Sequence, residues 1–151
     1  MKHAIYTWEK GREQGDSMPR ELLEKEVENF IKVRSNCSLA TGYGTYIRNT
    51  PMRYSYKNGN FLFITEGGYK FKGLILNKNV SISIFDTNNL SSNTVGMTIE
   101  GEASVTEFSE KDRKITDARK FLITVVPKSI DFLNSNFTSN GYYPLQHLDY
   151  I

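Results

Sequence analysis

The dipeptide Asn58-Gly59 constrains this chain more than any other feature. Asn-Gly suits the two positive-φ positions of a tight hairpin, and it is the strongest short hairpin signal a sequence carries. On one side stands Pro51-Met-Arg-Tyr-Ser-Tyr-Lys57, where Met52, Tyr54 and Tyr56 alternate with Arg53, Ser55 and Lys57. On the other stands Asn60-Phe-Leu-Phe-Ile-Thr65. Two such runs joined this way predict paired antiparallel strands, so the chain is built around a sheet.

Four further runs read as strands. Cys37 to Ile47 is β-prone but broken by Gly42 and Gly44, which predicts a hairpin or a bulge. Val80 to Asp86 alternates cleanly. Val95 to Glu107 is the longest period-two run, with Val95, Met97, Ile99, Ala103 and Val105 on one face and Thr98, Glu100, Glu102, Ser104 and Thr106 on the other. Phe121 to Phe132 reads as the last strand, and Pro127 places it at an edge or a bulge. Helices are few. Pro19 stands where a first helical turn favours proline, and Leu23, Val27, Phe30 and Ile31 recur at helical spacing, predicting an amphipathic helix over about 19–35. Ser109-Glu-Lys-Asp112 resembles a capping box and predicts a short helix over about 109–120. Asn134 to Ile151 is turn-rich and aromatic. Residues 1–18 read as a loosely held arm, and 19–151 as one domain. Six strands with few helices in 151 residues leave a sandwich or a barrel around a single core.

Lys plus Arg number 19 against 17 for Asp plus Glu, too small an excess for a nucleic-acid footprint, so any anion site is local. No apolar run approaches the ~20 residues that span a bilayer, and Met1 to Tyr6 lacks a signal-peptide core, so a cytoplasmic protein without a membrane partner is expected. Cys37 is the single cysteine and reads as a buried, inert thiol. His3 and His147 stand at opposite ends and no Cys-x-x-Cys occurs, which gives a metal site little support. No Gly-x-Ser-x-Gly elbow marks a hydrolase.

The stretch that carries chemistry runs from Thr65 through Glu66-Gly67-Gly68-Tyr69-Lys70 to Asn79. A strand ends at Thr65, two glycines turn the chain, and a short helix starts near Tyr69 with Phe71, Leu74 and Ile75 as its expected buried side. Unpaired N–H groups at such a helix start suit a phosphate. Thr65 offers a hydroxyl and Lys70 a positive charge, and Arg53 on the preceding strand is expected to complete a forked contact. On sequence physics alone the plainer reading, a simple connection with solvated lysines, has the edge.

Taken in order, Thr50-Pro-Met-Arg-Tyr-Ser-Tyr-Lys57, Asn58 to Thr65 and Lys70 to Asn77 resemble the flavin-binding core of the pyridoxamine 5′-phosphate oxidase superfamily. The tail from Ile130 to Asn134 and Gln146-His147-Leu148 resembles a small-protein branch of it, so the likeness covers about residues 20–151. This resemblance implies a six-stranded split β-barrel that binds FMN as a homodimer, with the cofactor at the interface. It also implies an FMN-dependent oxidoreductase acting on an unidentified small-molecule substrate or electron donor. A non-catalytic flavin- or haem-binding dimer is the alternative, and an empty interaction barrel a weaker third.

Carried over by position, Arg53 with the main chain at Tyr54 and Ser55 would lie along the isoalloxazine and ribityl chain. Ile64 and Thr65 would contact the flavin or its phosphate, and Lys70 would hold the phosphate with Gly68 and Tyr69 near it. Where the family has an Arg or Ser just before the lysine, this chain has Gly68-Tyr69, so one cationic contact is lost. Lys72 is a substitute for it or simply a solvated lysine. Tyr142, Tyr143 and His147 of a second subunit are candidates for covering the ring, ordinary interface packing being the other reading. The basic Arg-x-His tract of the oxidase proper is absent from the tail, which argues against pyridoxamine phosphate as substrate.

Overall fold

The computed structural model describes residues 17–86, 94–108 and 120–150. Helix α1 (Arg20–Lys32) is followed by strands β1 (Asn36–Tyr43), β2 (Tyr46–Arg53), β3 (Ser55–Lys57) and β4 (Asn60–Thr65). Then come the one-turn helix α2 (Lys70–Leu74), β5 (Asn79–Phe85), β6 (Val95–Phe108), β7 (Lys120–Asn134), a 3-10 turn (Ser135–Asn140) and β8 (Leu145–Asp149). Residues 109–119 of the helix predicted over about 109–120, and residues 1–16 of the expected arm, lie outside the described residues, while Lys120 opens β7.

All pairing is antiparallel, in one sheet of order β2-β1-β5-β6-β7-β4-β3 with β8 against the far half of β7. Its outer strands are β2 and β3, and Tyr54 alone separates them in sequence. The sheet must therefore curl until its two edges meet at Tyr54, while hydrogen bonds do not close it. This is the split barrel that the resemblance implies.

Tyr54 is held from three directions. Its N–H donates to the Ser35 carbonyl at 2.8 Å, its hydroxyl donates to the Ile31 carbonyl at 2.7 Å, and its ring meets Phe61 edge-on at 5.2 Å. The apolar stripe of α1 (Leu23, Val27, Phe30, Ile31) lies in the same core as Leu39, Phe61, Phe63, Ile82, Ile99, Ile123 and Phe132.

The Asn58-Gly59 turn forms as predicted, with φ of 52° and 78° matching the primed hairpin turn. The run from Cys37 to Ile47 folds back at Gly44 (φ 57°), the hairpin of the two predicted alternatives, and so becomes β1 and the start of β2. Two details differ from the sequence reading, and the strands number eight where six were expected. The run from Pro51 to Lys57 is cut at Tyr54 because its two halves pair with different strands, β1 and β4. The aromatic tail contributes β8. Pro127 sits in an interior strand, opposite Gly101 where the register slips, so the bulge alternative is the one realised.

Candidate functional site

Where β4 ends, the Thr65 hydroxyl donates to the Gly67 carbonyl at 3.1 Å and accepts from the Gly67 N–H at 3.2 Å, closing a tight turn on itself. Gly67 and Gly68 follow at φ 122° and 107°, a region that only glycine enters without strain. Helix α2 then rests on β1 so closely that a Cβ at Gly73 would stand 2.7 Å from the Gly42 nitrogen. The Asn77 side chain donates to the Gly42 carbonyl at 2.9 Å and fixes the exit. Tyr46 of β2 donates its hydroxyl to the Tyr69 carbonyl at 3.0 Å. The segment from Gly67 to Lys70 thus bridges the split, from the end of β4 to the start of β2.

Lys70 is the unusual residue of this corner. It is only 6 % exposed, and its ammonium donates to the Gly67 carbonyl. Burial lowers its pKa below the ordinary lysine value, and the Arg48 guanidinium lowers it further. Among the described residues no carboxylate pairs with Lys70 or with Arg48. Two like charges, one of them buried, are held together without a counter-charge from the described residues, an arrangement that an anion relieves. Of the three Lys70 N–H groups, one is occupied by Gly67 and two remain to meet an anion.

The structure keeps most of the predicted corner and corrects parts of it. Thr65, Gly68, Tyr69 and Lys70 come together as expected. Arg53 stands five residues beyond Arg48, about 17 Å along β2, at the end of that strand next to Tyr54. The arginine of this corner is Arg48, which sequence reasoning missed. The N–H groups of Gly67, Phe71 and Lys72 are already bonded, so the expected fan of free donors is reduced and side-chain charge carries the site. Ile75, expected in the core, is 76 % exposed, because Gly73 and Lys70 occupy the buried side of α2 with Leu74. Arg53, Tyr54, Ser55 and Ile64 lie where β2 and β4 part, with Ile64 exposed and Tyr54 buried. Cys37 is half-buried and desolvation pushes its thiol up to about 12, as an inert thiol requires.

Tyr143 lies elsewhere. It lines a cavity of about 510 Å³ with Phe85, Gly96, Thr98, Asp131 and Leu145, built on β5, β6 and β7 and sharing no residue with the Lys70 corner. His147 stands beside it, Nδ1 at 2.7 Å from Asp131 and Nε2 at 3.0 Å from Asp149. A larger groove of about 570 Å³ runs past Gly42, Tyr46 and Asn77, with Glu100 and Lys128 both in its lining. Among the described residues no group of three or more His, Cys, Asp or Glu side chains is placed to hold a metal. No helix there is long and apolar enough to cross a membrane.

The fold is that of the pyridoxamine 5′-phosphate oxidase-like, FMN-binding split-barrel proteins. A Clostridium acetobutylicum protein related to general stress protein 26, of the pyridoxinephosphate oxidase family, superposes with a TM-score of 0.64 at 11% identity, covering 88% of this chain and 97% of its own. The FAD-binding protein of Mycobacterium smegmatis gives 0.58 at 18% identity, over 73% and 93%. The heme-storage protein HutZ of Vibrio cholerae gives 0.54 at 15%, over 70% and 90%. At these identities the likeness is one of fold. The sequence matches no protein-family model and no curated protein.

Proposed function

We propose that this protein holds a flavin nucleotide, FMN being the smallest that fits, and works as a flavin-dependent oxidoreductase on a small molecule. The observation that carries the reading is the buried Lys70 beside Arg48 with no carboxylate among the described residues to neutralise either. A phosphate supplies the missing charge, and both side chains can donate to it. From Arg48 to Arg53, β2 presents an edge about 17 Å long, comparable in length to a ribityl phosphate and its ring. In this reading Lys70 and Arg48 hold the phosphate, while Gly68 and Tyr69 shape its seat. Arg53, the main chain at Tyr54 and Ser55, and Ile64 with Thr65 line the ring end. A bound flavin supplies hydride chemistry at its ring, and the chain binds, orients and shields it.

The ring cover comes from a second copy. Tyr143 and His147 share no lining residue with Lys70 of their own chain, so they meet a flavin held there only across a two-fold interface. A haem reading is less favoured, because both nitrogens of His147, the one described histidine, are engaged by carboxylates. Purified protein with a flavin spectrum, bleached by a reduced nicotinamide and re-oxidised in air, supports the oxidoreductase. A Soret band, or protein that ignores added FMN, rejects it.

A further inference from the structure

All the described glycines but one are explained by the chain itself. Gly44, Gly59, Gly67, Gly68 and Gly141 hold a positive φ. A Cβ at Gly42, Gly73 or Gly101 would come to 2.8, 2.7 or 2.6 Å from a backbone atom. Gly96 in β6 has neither reason. Its φ is not positive, and the atoms nearest its Cβ would be the Ile84 carbonyl oxygen at 3.6 Å and the Phe85 Cβ at 3.8 Å, both ordinary contacts. A side chain would fit there, and this strand leaves it out. A glycine of that kind within a sheet marks a place where something else approaches the backbone.

Gly96 pairs with Phe85 on one side and with Leu133 on the other. In the next outward-facing row Thr98 stands between Ser83 and Asp131. Both rows face away from the core, since the alternate residues Ile84, Met97 and Phe132 are the buried ones. The missing side chain therefore opens a slot between Phe85 and Leu133, two strand spacings or roughly 9.6 Å apart. A planar ring in contact on both faces needs about 7 Å, so the slot takes one ring. Gly96 belongs to the cavity of about 510 Å³ that Tyr143 also lines. Phe85 is 64 % exposed, an aromatic face left open at the slot's edge. Among the described residues no lysine or arginine lines this cavity, and Asp131 is its one charged group.

Beyond the flavin reading and independent of it, we propose that this slot is a second small-molecule site, for an uncharged planar aromatic compound carrying an amide. The ring lies over Gly96 between Phe85 and Leu133, where Phe85 offers it an aromatic partner. The amide reaches the next row, its carbonyl accepting from the Thr98 hydroxyl and its N–H donating towards the Asp131 carboxylate. An aromatic acid of the same shape brings a second negative charge to Asp131 with no cation in the lining to offset it.

The test is saturation-transfer NMR of the purified protein with benzamide and with benzoate, a pair that differs in charge and not in shape. Benzamide is expected to bind with a Kd on the order of 1 mM, usual for a ligand of that size, and benzoate at least about tenfold more weakly. Gly96→Ala should melt no lower than the parent, because the chain has room for the methyl and a strand gains from losing a glycine. The same variant should bind benzamide about tenfold more weakly, its methyl standing where the ring lies. Equal binding of the two probes, or none of benzamide, overturns the proposal and leaves the flavin reading as it stands. So does a Gly96→Ala protein that keeps its benzamide affinity, melts lower or changes its oligomeric state. Release of benzamide by saturating FMN would make the slot part of the flavin site and overturn it as a separate one.

Discussion

Arg48 and Lys70 come from elements 22 positions apart, yet the guanidinium of one depresses the pKa of the other. Two features create the relationship. The hairpin at Gly44 sets Arg48 opposite Thr41, and the Gly73–Gly42 approach lays α2 over that same end of β1. If the pair exists to meet a phosphate, Arg48→Ala should weaken FMN binding by roughly tenfold to a hundredfold, the range of one charge-assisted hydrogen bond. Titration by flavin fluorescence checks this, and the variant should melt no lower than the parent because a like-charge contact has been removed.

Helix α2 depends on two glycines in van der Waals contact. A methyl at residue 73 would stand 2.7 Å from the Gly42 nitrogen and 3.2 Å from the Thr41 carbonyl carbon, both backbone atoms that cannot swing away. Gly73→Ala is expected to cost about 1–3 kcal/mol, as overpacking does, read as a lower urea midpoint at unchanged slope. Because the displaced helix carries Lys70, FMN affinity should fall with it.

Tyr54 joins the two edges of the barrel, and its hydroxyl is the 2.7 Å partner of the last buried carbonyl of α1, at Ile31. Tyr54→Phe keeps the ring against Phe61 but leaves that carbonyl only the longer hydrogen bond from the Arg34 N–H at 3.3 Å. A loss of about 1 kcal/mol is expected by chemical denaturation.

Alkaline stability follows from four groups of one sign. Burial raises Cys37 from 9.0 to about 12, raises Tyr54 and Tyr150 from 10.0 to about 12, and raises Tyr56 above 10.0. Each keeps its proton longer in the folded protein, so the stability they contribute is full below pH 9 and is lost as pH climbs towards 12. Lys70 has the opposite sign. Its folded pKa is lowered, so between that value and 10.5 the unfolded chain binds the extra proton and rising pH favours folding. A melting profile from pH 8 to 11.5 should therefore decline, and Lys70→Met should make the decline steeper.

Much of the sheet was legible in the sequence because its strands alternate and its tightest turn is Asn-Gly. The split was not, since a strand shared between two partners looks continuous: Met52, Tyr54 and Tyr56 keep one period across the break. The corner around Lys70 was readable from Gly67-Gly68 and the lysine. Arg48 was not, because its place depends on the register of β1 with β2 and on where α2 comes to rest. The small pair Gly42 and Gly73 is the one sequence trace of that contact. β8 stayed hidden for a different reason, as Leu145 to Asp149 is too short for its alternation to stand out from the turns around it.

The central claim is that the flavin is gripped by its phosphate, and comparing riboflavin with FMN tests it with the phosphate as the only difference. FMN should bind the flavin-free protein at least a hundredfold tighter, roughly what two charge-assisted contacts supply, and Lys70→Glu should erase most of that gap. Equal affinities for the two ligands, or a Lys70→Glu variant that still tells them apart, would contradict it.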